Sequence, residues 1–197
     1  MKQFNPYDKY SSTTNITASF IIEDWKCELV EPKHSALHAH ANLDPFSSDI
    51  DWAEREKEMF KLMHDKFGIG LAAPQVGSSY NMFVMHHEHL GDIGIYKPEI
   101  LEAEGEVMWE EGCLTFPMLY LPVSRPEKIK VKYYKNDGET VVETWMDGRD
   151  ARCFLHEYDH LKGQLFIDLV SDLKLQRAKK KREKFFKKLE TQSKRYA

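Results

Sequence analysis

His156-Glu157-Tyr158-Asp159-His160, followed by Leu161-Lys162-Gly163, is the stretch from which the rest of the chain can be read. On a helix, histidines four residues apart stand one turn apart on one face, so both imidazoles reach a single ion. Glu157 projects beside them, where a carboxylate can take a proton from an activated water and deliver it to a leaving amine. Phe154, Leu155 and Leu161 give the segment an apolar flank, which favours a buried helix over a surface helix with two incidental histidines. Asp147-Gly148 opens this helix and Gly163 stops it.

Two histidines and a glutamate fit a zinc endopeptidase as well as other metallohydrolases, so the third ligand discriminates. Downstream of His160 there is no histidine, and Glu183 and Glu190 fall in a lysine-rich tail. Upstream, Glu110-Glu111-Gly112-Cys113-Leu114-Thr115 places a thiol between a strand-like piece and a Pro-containing turn. A Cys thiolate with two imidazoles is a strong ligand set for iron or zinc and leaves a fourth position for water. The three cysteines, Cys27, Cys113 and Cys153, are too few and too scattered for a disulfide framework. They point to a reduced, cytosolic compartment, in which a special cysteine is a ligand or nucleophile.

Working outward, Ile50, Ala53, Met59, Phe60, Met63 and Phe67 recur at near-helical spacing. They predict an amphipathic helix over 49–67, capped by Ser48 or Asp49 and ended by Gly68. GIGLAAPQVG (68–77) is rich in small residues that permit close backbone approach. Tyr80–His86 and Gly94–Leu101 read as strands or strand ends broken by Pro98, and HHEHL (86–90) as a solvated loop. Lys128–Tyr134 alternates, Asn136-Asp137-Gly138 turns the chain, and Thr140–Met146 returns. Residues 31–48 read as loop, with His34, His38 and His40 as chance histidines. A last helix is expected from about Ser171 to Glu190, with Leu175, Ala178, Phe185 and Leu189 on one face. Helix, strands, helix, helix in that order predicts an α+β fold rather than a βαβ alternation.

The 197 residues, with 42% apolar content, suit one hydrophobic core. The expected organisation is a polar lead-in (1–24), a catalytic metallohydrolase domain (25–171) and a basic C-terminal helix (172–197). No apolar run is long enough to span a bilayer. The N-terminus is a poor secretory signal, while its Ser and Thr content leaves an organellar import segment open. Net charge is −4, yet from Asp172 to Arg195 there are 11 Lys/Arg against 3 acidic residues. An acidic body with a basic tail suits either nucleic-acid contact or a solvated helix face.

GIGLAAPQ (68–75), EEGCLT (110–115) and HEYDHLKGQLF (156–166), in that order and spacing, resemble the three signature motifs of peptide deformylases. The resemblance runs from roughly Glu31 to Leu189. It implies a deformylase-like α+β fold with antiparallel sheets around a central HExxH helix. The implied activity is metal-dependent hydrolysis of the N-formyl group from N-formylmethionyl nascent chains, releasing formate. Cys113, His156 and His160 then match the ligands of one divalent metal ion, usually Fe2+, with Ni2+, Co2+ or Zn2+ as alternatives. Glu157 matches the general acid/base, and Gln75 with the Leu114 N–H matches the oxyanion donors. Gly70, with its neighbour Ile69, matches the substrate-binding backbone, and Glu111 with Arg125 a charged pair supporting the site. In similar deformylases the basic C-terminal helix docks on the ribosome. A monomer without membrane attachment is expected in the cytoplasm, with an organelle or a virus-infected host cytoplasm as alternatives.

Departures from the family pattern concentrate near the substrate. Thr115 stands for the usual Ser, and Leu155 precedes the first histidine where Gln is common. Tyr120 matches the position of an arginine that holds the substrate backbone. Arg149 and Arg152 match positions lining the methionine pocket. Either both arginines snorkel outward and only their stems touch substrate, or the pocket is reshaped and its specificity altered. The competing functional readings are an HExxH zinc endopeptidase and a ribosome-binding deformylase-like protein with changed or lost catalysis.

Overall fold

The computed structural model describes residues 26–47 and 50–196. The expected lead-in 1–24, any import segment in it, and the proposed caps Ser48 and Asp49 lie outside the described residues. Helix α1 (Trp52–Asp65) is followed by strands β1 (Gly70–Ala72), β2 (Met82–His87), β3 (Gly91–Glu104), β4 (Val107–Cys113), β5 (Phe116–Arg125), β6 (Lys128–Tyr134) and β7 (Val141–Asp147). Helices α2 (Gly148–Leu161) and α3 (Asp172–Tyr196) close the order. Five strands form one antiparallel sheet in the order β1-β2-β3-β6-β7, and β4 pairs with β5 in a separate two-stranded sheet. The fold is thus α+β, with α2 between the sheets.

Period-two alternation works as expected in β6, whose Ile129, Val131 and Tyr133 are buried while the lysines between them are not. In β5 the same alternation buries Leu119, Leu121, Val123 and Arg125. Helix α2 is of another kind: eleven of its fourteen residues are buried. Phe154 meets Phe83 of β2 edge-to-face at 5.1 Å between ring centroids, and Ala151, Cys153 and Leu155 pack into the same core. Burying a side chain the size of Phe154 stabilises the fold by roughly 1.5–3 kcal/mol.

Several boundaries differ from the sequence reading, each for a local reason. Helix α1 is capped by Asp51, whose carboxylate accepts from the Glu54 N–H at 3.2 Å. The left-handed residue after it is Phe67 (φ 59°), not Gly68. Gly68 instead brings the chain close to Leu114, where a Cβ would stand 2.8 Å from Leu114 Cδ1 and require that side chain to shift. Strand β3 passes through Pro98 because Lys97 (φ 49°) and a register shift between Tyr96 and Glu99 form a bulge, where the missing N–H costs no ladder bond. The Pro-containing turn expected after Cys113 is strand β5, and a two-stranded sheet tolerates Pro117 and Pro122 on its edges. In HHEHL, His86 and His87 belong to β2, and only Glu88, His89 and Leu90 make the turn. Single 3-10 turns at Ser35–His38 and Pro45–Ser47 interrupt the expected loop.

Gly163 (φ 68°) ends the region of α2 as expected. The chain at His38 and Ala39 crosses so closely that a Cβ would lie 2.9 Å from the His38 carbonyl carbon. Helix α3 runs six residues beyond the expected end. Leu175 and Ala178 pack beside β5 and the turn at Phe166–Leu169, and Arg182 Nε donates to the Pro117 carbonyl at 2.7 Å. Phe185, Phe186 and Leu189 remain exposed.

Candidate metal centre and catalytic cleft

Three chain segments converge at one end of α2. Cys113 ends β4, Gln75 sits in the 3-10 turn after β1, and His156, Glu157 and His160 come from α2. The ligand atoms of Cys113, His156 and His160 all lie within 4.8 Å of one another, and all three residues are buried. Cys113 Sγ is 3.4 Å from His160 Nε2. His156 Nδ1 lies 3.1 Å from Glu111 Oε2, which leaves its Nε2 for an ion. A soft thiolate and two imidazoles, with the other nitrogen of His156 held by a carboxylate, fit a transition-metal ion.

Glu111 is the hub of a buried charge network. Its carboxylate accepts from Arg125 Nε at 2.6 Å and Nη2 at 3.0 Å, and Arg125 Nη1 reaches Asp159 at 2.7 Å. Burial alone would raise the Glu111 carboxyl; bonds from His156 and Arg125 outweigh it and hold the group down at about 2. Burial raises Asp159 despite the Arg125 guanidinium beside it.

Arg152 joins the network, which corrects the outward-snorkelling reading for this residue. Its guanidinium donates to Glu111 Oε1 at 2.5 Å and to the carbonyls of Val123 and Val107 at 3.0 and 2.7 Å. It also stacks over Trp109 at 5.2 Å. The head points inward because β4 and β5 present an acid and two carbonyls there. Arg149 is exposed at the rim.

The cleft above this centre has a volume of about 630 Å³. Ile69 and Gly70, Tyr120, Arg149 and Arg152 all line it, as do Gln75, Cys113, Leu114, His156 and Glu157. Glu111 also reaches its wall, with its carboxylate committed to the arginines and His156. His160 is buried beneath and does not line the cleft. A Cβ at Gly70 would collide with Glu157 Oε1 and stand 2.8 Å from Cys153 Sγ, so only glycine fits between β1 and the carboxylate. The Tyr120 ring lies against Gly112, where a Cβ would come within 2.9 Å of it.

Glu157 Oε2 is buried with no hydrogen-bond partner. Burial lifts this carboxyl to about 7 against the lowering pull of His156 and Arg125. The Gln75 amide is oriented: Oε1 accepts from the Ala72 N–H at 2.8 Å, while Nε2 faces Thr115 Oγ1 at 3.2 Å and Cys113 Sγ at 3.5 Å. The donor end of the amide therefore points to the metal centre. Thr115, read from sequence only as a mild departure, is an anchor for Gln75. Sequence reasoning also passed over Asp159 and Cys153, whose thiol donates to the Ile69 carbonyl at 3.2 Å. The signal for Asp159 was an acid inside a buried helix; nothing local marked Cys153.

A family model described as Polypeptide deformylase matches residues 27–176. This chain belongs to the polypeptide deformylase family. It is 45% identical over 119 residues to the peptide deformylase of Thermotoga maritima, covering 60% of this chain and 71% of that protein. A peptide deformylase crystal structure from Legionella pneumophila superposes with a TM-score of 0.72 at 35% identity, covering 83% of this chain and 96% of that one. A peptide deformylase from Synechococcus elongatus in complex with actinonin gives 0.72 at 32% identity, covering 82% and 90%. The family is metal-dependent and hydrolytic, removing formyl groups from peptide N-termini, and the Cys113, His156 and His160 cluster is the candidate metal site. Among the described residues no helix is long and apolar enough to cross a membrane.

Proposed function

We propose that this chain hydrolyses the formamide bond of N-formylmethionyl peptides in the cleft at the end of α2. The observation that carries the proposal is the convergence of Cys113, His156 and His160 within 4.8 Å, under a cleft also lined by Glu157 and Gln75. The three ligands would hold one divalent ion, ferrous iron in the first place and nickel, cobalt or zinc as substitutes. Such an ion supplies Lewis acidity and makes water a competent nucleophile near neutral pH.

The residues do the rest. Strand β1 is at the edge of its sheet, so an extended peptide can lie along it and approach Gly70 without meeting a side chain. Gln75 Nε2 and the Leu114 N–H donate to the formyl oxygen as it gains negative charge; each such donor is worth roughly 3–4 kcal/mol of barrier. Glu157 takes a proton from the attacking water and gives it to the departing amine nitrogen, leaving formate and a free N-terminus. The stem of Arg152 leaves room for an unbranched apolar side chain because its head is turned to Glu111. Tyr120, Arg149 and Ile69 border the peptide, with Tyr120 in place of a charged backbone clamp.

Residues 25–171 would then form the catalytic body and 172–197 an appended basic helix. The lysine-rich face of α3 suits ribosomal RNA phosphates near a nascent-chain exit. Monomeric action in a cytoplasmic compartment accords with this role. Nickel-loaded protein is expected to release formate from formyl-Met peptides, and Glu157→Gln to lower turnover at least 100-fold with metal retained. Unchanged turnover in that variant would overturn the role of Glu157.

A further inference from the structure

A second cluster of metal-ligating side chains lies outside the cleft. His64 comes from the last turn of α1, His86 from β2 and Asp92 from β3. Their ligand atoms lie within 4.8 Å of one another, and none of the three lines the catalytic cleft. The Asp92 carboxylate is bracketed: Oδ2 is 2.8 Å from His64 Nε2 and Oδ1 is 2.7 Å from His86 Nδ1. The two imidazole rings stand 5.9 Å apart at 77°, each with one nitrogen on the Asp92 carboxylate.

We propose that His64, His86 and Asp92 form a second site for a divalent transition ion such as zinc or nickel. Ligands of a four-coordinate ion with bonds near 2.0–2.1 Å stand roughly 3.3 Å apart. The Asp–His separations are already inside that distance. Because the two nitrogens sit on different oxygens of Asp92, the carboxylate and His64 must both adjust to share one ion, and the 47% exposed side chain of His64 leaves room for that. Two imidazoles and a carboxylate without a thiolate suit zinc, nickel or iron rather than a soft ion. Binding displaces the two imidazole–carboxylate hydrogen bonds, leaves both rings neutral and leaves a fourth position for water.

The position of the site gives the ion a consequence. Lys66, Phe67, Gly68 and Ile69, which follow His64, all line the catalytic cleft. At the other end of this segment the His86 N–H donates to the Ile69 carbonyl at 2.8 Å. An ion held by His64 and His86 therefore ties both ends of the cleft wall to the β2–β3 hairpin. It fixes the strand edge on which the proposed function lays the peptide, although the binding itself does not depend on that function.

Equilibrium dialysis of the full chain against nickel tests the proposal. Two equivalents are expected per chain, with His64→Ala, His86→Ala and Asp92→Ala each keeping one. With cobalt, the thiolate charge-transfer band marks the Cys113 site and is expected to stay in all three variants while the second equivalent is lost. At nickel 100 times the Kd of the second site, opening that separates α1 from β2 should fall roughly 100-fold, read as slowed exchange of the His86 amide. One equivalent in the unaltered chain, or a second equivalent that survives His86→Ala, would overturn it. Loss of the formate-release reading would leave this stoichiometry untouched.

Discussion

Two charge networks built from the same residue types sit in different surroundings. On the outer face of the large sheet, Lys132 meets Glu99 at 3.6 Å and Lys130 meets Glu143 at 2.7 Å, all with substantial solvent contact. Beneath the cleft, Glu111, Arg125 and Asp159 pair with side chains no more than 4% exposed. In water the attraction between such groups is screened and nearly matched by hydration. In the interior both desolvation and attraction are large, so removing one partner strands a charge. The first network keeps the sheet face soluble; the second holds His156 in place.

Arg125→Met would break the buried network most severely. It leaves Asp159 without its cation and Glu111 with Arg152 alone of its two arginines, and should cost about 3–5 kcal/mol, read as a lowered denaturant midpoint at constant slope. Glu111→Gln keeps the shape but weakens the support of His156. Its expected effect is a roughly 10–100-fold loss of metal affinity, measured by chelator competition. Lys132→Ala, on the exposed face, should leave both the midpoint and the metal affinity where they were. A comparable loss of stability in Lys132→Ala and Arg125→Met would erase the distinction.

Much of this arrangement was legible in the chain. The alternation of Lys128–Tyr134 and the four-residue spacing of His156 and His160 are local periodicities, and the strand and helix follow them. The motif around Cys113 supplied the third candidate ligand. The strand through Pro117 and Pro122 was hidden because proline argues against strands unless an edge accepts it. Phe67 takes the left-handed position while Gly68 lies close to Leu114, a residue distant in sequence. The direction of the Arg152 head stays open in the sequence, since its helix face is legible but not the acid and carbonyls that β4 and β5 bring to it.

By itself the sequence determined which residues share a helix face or a strand side, and so which side chains could serve a metal and a proton. The tertiary structure decided their partners. Glu111 and His156 are 45 residues apart, and His64 and Asp92 are 28 apart, so no local period links them. They meet because burying the apolar faces of α1, α2 and the two sheets leaves each element one way to lie, and the charged groups carried along must find partners or water there.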